Sequence, residues 1–475
     1  MAEAKEHSIQ RTVWGFALLV AIYLLIAYGW PRPESIKPSD WRIFALFVAT
    51  VLGLITQPLP GGAIVLIAIT LSSVVGDLTI KSALEGYSDS TVWLVLAAFF
   101  ISRALLNTGL ARRIALIFVR SFGKTSIGVT YALALSDVTL AMIIPSNGAR
   151  SGGVTLPIVR SIAELYNSYP GESAGRLGSY LMVAVYQSIC VSAAMFLTGQ
   201  ASNPLGAQIA AQNGFPITWS SWFLAGLVPG ALSLAVLPRV VMWMHPPEIR
   251  NTPEATAFAA EELRRIGPMS VQERILAVIF VGVCGMWATS AWHHIDITVT
   301  ALLGSAALLI SGVLKWPDVL SEKSAWDIFL WYGGLVRLGR ALNDGGVTTV
   351  FAESVGSAFA GAHWVILFIA ALLIYFYAHY GFASITAHML AMYPPFLALL
   401  ILKGAPIGLV AFAFACFTNL AAGLTNYGTT PSPMFFAHGY TSMKTWWKVG
   451  LVCSLVNIGI WSTVGFGWWK LIGFW

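Results

Sequence analysis

Arg150 and His388 are ionisable residues set in long, otherwise apolar stretches, each four positions after a serine in a short polar break. The first break reads Ser146-Asn147-Gly148-Ala149-Arg150 and the second Ser384-Ile385-Thr386-Ala387-His388. A guanidinium suits bidentate recognition of a carboxylate, and an imidazole can be charged or simply donate a proton. Two further breaks, Thr198 to Pro204 and Thr425 to Pro433, are rich in Gly, Pro and hydroxyl residues. Ser146, Asn147, Thr386, Ser202, Asn203, Thr429 and Thr430 add neutral donors, and half-helices starting after the breaks add positive dipole ends. If these groups face one cavity, the complementary ligand is a small dianion with a charge at each end. The competing reading makes Arg150 a hairpin-locking contact to backbone carbonyls, and His388 a neutral, hydrogen-bonded helix residue.

What must position these residues is a membrane-embedded helical frame. Of 475 residues, 57% are hydrophobic and 10% charged, which excludes an ordinary soluble domain. Apolar stretches of roughly 18 residues or more recur along the chain, each long enough to cross a bilayer as a helix. The small excess of 27 Lys+Arg over 21 Asp+Glu implies no nucleic-acid partner. Cys190, Cys284, Cys416 and Cys453 lie in apolar segments without metal or disulfide spacing, so neither cofactor nor metal is expected. The polar Met1 to Arg11 precedes an apolar run without a small-residue cleavage site, and a retained first helix is expected.

Polar breaks at membrane depth require an aqueous site. The spacing predicts two re-entrant hairpins, with tips at 146–150 and 384–388, and two unwound helices, alongside about eleven transmembrane spans. Lys5, Arg11, Arg112, Arg113, Arg120, Lys124, Arg160, Arg176, Arg250, Arg264, Arg265, Arg274, Lys315, Lys323, Lys444 and Lys448 fall on one face, against Arg32, Lys37, Lys81 and Lys403 near the other. The first face is then cytoplasmic, with the N-terminus inside and the C-terminus outside. A bacterial inner membrane is expected, because no transit-peptide composition is present.

The chain also repeats. Residues 146–150 pair with 384–388, Leu197 to Pro204 pairs without gaps with Leu424 to Pro431, and Arg103-Ala104-Leu105 pairs with Arg340-Ala341-Leu342. An odd number of spans between corresponding elements makes the halves inverted, a secondary-transporter design. The expected organisation is an N-terminal helix over 1–40, a first inverted repeat over 41–243, a cytoplasmic linker with a surface helix over 244–274, and a second inverted repeat over 275–475. Arg103, Arg337 and Arg340 stand near span ends, where a structural or snorkelling role is favoured. Trp331, Trp446, Trp447, Trp468 and Trp469 read as interfacial belts. His293, His294 and Asp296 lack supporting ligands for a metal, and no phosphate loop, HExxH or GxSxG provides an enzyme constellation.

Pro145-Ser146-Asn147-Gly148-Ala149-Arg150 resembles the first Ser-Asn-Thr hairpin motif of the divalent anion/sodium symporter (DASS) family, and Ser384-Ile385-Thr386-Ala387-His388 resembles its second. The resemblance covers nearly the whole chain. Around Ser88 to Val95 and Tyr377 to His388 it is nearest to the branch of citrate/succinate and tartrate/succinate antiporters and the plastid 2-oxoglutarate/malate translocator. It implies an all-α homodimer of scaffold and transport domains with an elevator-type movement. Substrate would lie between the hairpin tips and the unwound loops, adding Gly148, Gly199, Gln200, Ser384 and Pro431 to the candidate site. Two positions depart from the family pattern: Gly148 stands where Thr is usual, and Ile385 where sodium-coupled members have Asn. The implied activity is sodium-independent exchange of C4 to C6 dicarboxylates such as malate, succinate, 2-oxoglutarate or tartrate, and citrate in addition, with Arg150 and His388 in place of bound sodium. The other readings are a sodium-coupled symporter of the same substrates, an anion channel and, for want of catalytic groups, last an enzyme.

Overall fold

The computed structural model describes residues 2–359 and 361–475, with side chains from Thr12 onward except those of Val355 and Ala358. Met1 and the side chains of Lys5 and Arg11, expected on the basic face, lie outside the described residues. Among these residues the chain is helical without strands, and ten helices are long and apolar enough to cross a membrane. Shorter apolar helices, Gly61–Val75, Ser126–Ala141 and Ile297–Ile310, fill in between them.

Two helices are wrapped on all sides. Gly178–Met195 is buried at every residue, and the window Ile407–Leu424 is 94% buried. Both lack charged residues and are predominantly apolar on every side, and such a helix belongs in a protein interior or a membrane. Each runs directly into an unwound segment: Gly178–Met195 into a single 3-10 turn, Leu197–Gly199, and Ile407–Ala421 into Ala422–Leu424. Helix restarts at Ser202 and at Pro431, so the chain is broken where both unwound loops were expected. Around this centre pack Ser126–Ala141, Trp219–Met244, Trp364–Ala378, Ile385–Leu402 and Met443–Ile460. A second group, Pro38–Thr56, Gly61–Val75, Ser90–Thr108, Val271–Ala288, Ile297–Ile310 and Lys323–Asp344, packs mainly within itself.

The connection between the halves contains the expected surface helix, Pro253–Ile266. Its N-terminal end is stitched to the start of Ser126–Ala141: Thr125 and Asn251 form an isolated bridge, Ser126 N donates to Arg250 O at 3.0 Å, and Thr252 Oγ1 donates to Gly123 O at 2.8 Å. At its other end Arg113 is held by the Glu273 carboxylate, Nε to Oε1 at 2.6 Å and Nη2 to Oε2 at 3.1 Å, with both side chains buried.

The tryptophan belt requires correction. Trp446 and Trp469 have no exposure and Trp331 is buried. Trp446 packs on the Tyr186 ring at 4.9 Å between centroids, and Trp469 Nε1 donates to Ala225 O at 2.9 Å. An indole has a large apolar body, and a backbone carbonyl satisfies its single donor inside a core as well as at an interface. Composition alone does not separate the two.

Breaking the Arg113–Glu273 pair from one side leaves a buried carboxylate unpaired, at a cost of about 3–5 kcal/mol. Arg113→Met is therefore expected to lower the unfolding temperature in detergent clearly, and Arg113→Met/Glu273→Met to recover most of the loss. Equal melting of the single variant and the parent would refute this.

Candidate functional site

Each hairpin begins its returning arm with the same local structure. Ser146 and Ser384 are N-caps with φ −139° in both cases, and their hydroxyls accept from Ala149 N at 3.1 Å and Ala387 N at 3.3 Å. A serine cap satisfies one of the free N–H groups of a helix start and leaves the rest facing outward. The caps are followed by Asn147–Arg150, which continues through a π turn to Leu165, and by Ile385–Leu402.

The two hairpins meet on one strand of chain, the second unwound loop. Asn147 Nδ2 donates to Thr429 Oγ1 at 3.1 Å. Gly148 lies so close that an added Cβ would fall 2.8 Å from Thr430 Cγ2. The absence of a threonine side chain at 148 is thus filled from across the site by the methyl of Thr430. From the other hairpin, His379 Nε2 lies 2.9 Å from Gly428 O. Along three consecutive residues the second hairpin touches Gly428 and the first touches Thr429 and Thr430. The helix after the first loop, Ser202–Gln212, packs in turn on the second hairpin through Gly206 and Met389.

Arg150 reaches the first unwound loop. Its Nη1 donates to Ile144 O and to Gly199 O, both at 2.7 Å, while Nε and Nη2 face Asp137 Oδ1 at 2.9 Å and Oδ2 at 3.4 Å. Neither side chain has any exposure. Ser192 donates to the same carboxylate. The expectation that this guanidinium is offered to a ligand gives way here to the competing one: its donors are engaged within the protein, and Asp137 balances its charge. His388 is likewise enclosed. Its ring packs tilted against Tyr375 at 4.3 Å between centroids, and its Nδ1 lies 3.1 Å from His379 Nδ1. Since the carbonyl of Gly428 accepts from His379 Nε2, a neutral His379 accepts at Nδ1, and His388 donates from its own.

These contacts are parallel between the halves. Asp137 precedes Arg150 by thirteen residues, and Tyr375 precedes His388 by thirteen. Asp137 is bonded by Ser192 on one central helix, and Tyr375 hydrogen-bonds Thr418 on the other. The loops match in geometry at a spacing two residues longer than their ungapped alignment. A Cβ on Gly199 would lie 2.6 Å from Ala193 O, and one on Gly428 would lie 2.7 Å from Ala422 O, six residues back in each case. Gly428 follows Gly199 by 229 residues, as Pro431 follows Ser202. The alignment of Gly199 with Asn426 is corrected accordingly. The reason is steric, because only glycine tolerates that approach to a carbonyl.

Of the remaining candidates, Asn203 donates to Ala193 O and Phe196 O, and accepts at Oδ1 from Asn419 Nδ2 at 2.7 Å, closing the bend of the first loop. Gln200 and Pro431 are buried, Thr386 is half-buried, and Ser202 Oγ is buried with no hydrogen-bond partner among the described residues. Thr425 Oγ1, Asn419 Oδ1 and His388 Nε2 share that condition. Asp137, Tyr375, His379, Asn419 and Thr425 are site residues that sequence reasoning passed over. A signal for Asp137 existed: a lone acid in an apolar helix implies a cationic partner at depth. Among the described residues no three acidic, His or Cys side chains gather as a metal site.

Residues 10–475 match the family described as the sodium:sulfate symporter transmembrane region. The chain is 41% identical to the putative malate transporter YflS of Bacillus subtilis, over the full length of both. It is 39% identical to dicarboxylate transporter 1 of spinach chloroplasts, over 94% of this chain and 79% of that protein, and 34% identical to the Escherichia coli inner membrane protein YbhI, over 98% and 99%. The crystal structure of the Alcanivorax borkumensis YdaH transporter, reported to have an unusual topology, matches with a TM-score of 0.59 at 13% identity, covering 84% of this chain and 89% of that one. That last likeness is one of fold.

The contact at the first tip yields a size-swap test. Gly148→Thr is expected to reduce transport by roughly tenfold or more, since overpacking costs about 1–3 kcal/mol, and Thr430→Ala in the same chain to restore part of it. Full activity of Gly148→Thr alone would show that the two segments do not stay in contact.

Proposed function

The chain belongs to the sodium:sulfate, or divalent anion/sodium, symporter family, and from this premise we propose that it exchanges C4 to C6 dicarboxylates across the membrane without sodium. It is a multi-pass membrane transporter and not an enzyme. The names of its relatives, a malate transporter and chloroplast dicarboxylate transporters, support the substrate class. In this reading the carboxylates are received by the capped starts at Ser146 and Ser384 and by the hydroxyls of Ser202, Thr425, Thr429 and Thr430. Pseudosymmetric halves place one donor set at each end of the substrate.

The observation that carries sodium independence is Arg150 Nη1 between Ile144 O and Gly199 O, at 2.7 Å from each. In broken-helix transporters, unwound backbone carbonyls are what coordinates a coupling sodium ion. Here a tethered cation bridges a hairpin carbonyl to a loop carbonyl, and Asp137 supplies the anionic partner. In the second half a neutral imidazole from the hairpin, His379, hydrogen-bonds the loop carbonyl Gly428 O. The hairpin–loop junctions are closed by side chains that cannot dissociate, so no ion release frees the unloaded form.

Obligatory exchange then follows from hydration. Asp137 neutralises Arg150, so the barrier to an empty crossing is the uncovered helix starts and unpartnered hydroxyls. Each polar group carried through the membrane without a partner costs on the order of 2–7 kcal/mol. A bound dicarboxylate covers them and the loaded form crosses. The crossing itself is proposed as an elevator movement of the hairpins, loops and central helices against the second helix group, in a homodimer with a cytoplasmic N-terminus in a bacterial inner membrane. The two inverted repeats are those of 41–243 and 275–475, joined by the linker 244–274. The family description, which names sodium, favours the sodium-coupled symporter as the second reading.

Purified protein in liposomes separates the two. Labelled malate should enter only vesicles preloaded with dicarboxylate, at equal rates with and without sodium; sodium-driven uptake into empty vesicles would establish the symporter. Arg150→Ser, which leaves Asp137 and two carbonyls facing a vacated space, should reduce exchange by about a hundredfold or more. Sodium, but not choline, should return part of it. Undiminished exchange in Arg150→Ser would dismiss the tethered cation.

A further inference from the structure

The third pair in the sequence repeat, Arg103 and Arg340, has no part in the junctions described above. Arg340 is on helix Lys323–Asp344 and pairs through Nη2 with Asp89, the N-cap of helix Ser90–Thr108. Arg103 is on helix Ser90–Thr108 and pairs, at 3.6 Å, with Glu322, the residue preceding helix Lys323–Asp344. Each repeat thus contributes an arginine to the acidic start of the other repeat's equivalent helix, at opposite ends of the helix pair. This reciprocity is what a two-fold axis between inverted halves produces.

The Arg340 end opens into a cavity of about 410 Å³, lined also by Leu197 and Pro204 on either side of the first unwound loop, and by Gln208 and Ala211 on the helix that follows. Arg340 is 39% exposed, whereas Asp89 is 9% exposed. The carboxylate does not depend on the arginine alone. Asp89 Oδ1 accepts from Thr91 N at 2.9 Å, and Oδ2 accepts from Gln208 Nε2 at 2.6 Å. Arg340 can therefore turn toward another anion while Asp89 keeps two donors.

Resting on the dicarboxylate reading above, we infer that Arg340 is a carboxylate-binding staging site in this cavity, which holds one end of an arriving substrate before it reaches the hairpin tips, and that Arg103 serves the opposite face. Asp89 acts as the internal competitor that occupies the guanidinium when no substrate is present. A guanidinium fork matches a carboxylate bidentately, and the nearby loop gives the captured anion a short route inward.

The test uses full-length protein in proteoliposomes with Ala211→Cys as a reporter, the four native cysteines being buried. Succinate should slow labelling of Cys at 211 by a membrane-impermeant maleimide. Arg340→Gln should raise the half-protecting concentration about tenfold or more, as loss of a charge-assisted contact does. Arg340→Lys should recover part of the loss. Asp89→Asn retains a good N-cap and removes the competing charge, so it should lower that concentration. A latch with a purely structural role predicts that Arg340→Gln and Asp89→Asn act in the same direction. That result, or protection indifferent to Arg340, overturns the inference, and Asp89→Asn decides alone if Arg340→Gln does not fold. In exchange assays Arg340→Gln should raise the malate KM on the labelled side and Arg103→Gln on the other. Arg340-dependent protection without exchange would remove the transport reading and keep the anion site; exchange without such protection would do the reverse.

Discussion

A guanidinium and a carboxylate, neither exposed to solvent, join the first hairpin to its own ascending helix, and two of the guanidinium's hydrogen bonds extend that connection to the hairpin break and the unwound loop. Burying both charges is expensive, and the cost is offset only where every donor finds an acceptor in good geometry. Around Arg150 four hydrogen bonds, to one carboxylate and to two carbonyls outside helix, go most of the way to meeting that requirement. The break in the backbone and the buried arginine therefore explain each other: unwinding exposes carbonyls, and the arginine satisfies them. The position of the tip, and with it the contact of Asn147 with Thr429, depends on that mutual satisfaction.

The second half solves the same problem with different chemistry. Where the first uses an ion pair thirteen residues apart, the second packs an imidazole against a tyrosine at the same separation and uses a second imidazole to reach the loop carbonyl. Ring contacts and neutral hydrogen bonds are softer constraints than a four-way guanidinium clamp. Two halves that agree in backbone plan thus hold their hairpins by different chemistry, a buried ion pair in the first and ring contacts with neutral hydrogen bonds in the second.

Much of this plan was legible in the sequence because its signals are local. A serine followed by a short polar break inside an apolar run marks a helix start, and both Ser146 and Ser384 are caps. Gly and Pro in Thr198 to Pro204 and Thr425 to Pro433 mark the places where the helices unwind. What could not be read was pairing across distance. Asp137 sits inside an apolar helix with nothing nearby in sequence to reveal that it faces Arg150, and Tyr375 resembles any membrane aromatic until His388 is placed over it. The loop register was hidden for a similar reason: the second loop has more residues outside helix than the first, so identical letters align at one spacing and equivalent carbonyls at another. Buried Trp446 and Trp469 were misassigned because the partner that decides between core and interface, a carbonyl or an aromatic ring, comes from a remote helix.

The wrapping of helix Gly178–Met195 has a consequence for biosynthesis. Helix Thr12–Gly29, with 6% of its window buried, meets few neighbours and can partition into lipid alone. Gly178–Met195 carries Gln187, Ser188 and Ser192 on a segment that touches no lipid in the finished protein, and Gln187 donates to Gly423 O, a group translated more than two hundred residues later. Ser188 and Ser192 find acceptors within the first half, at Ala184 O and at Asp137, but the Gln187 amide has its acceptor only once Gly423 is in place. The interior of the first half is therefore complete only when the second half has been made and packed against it.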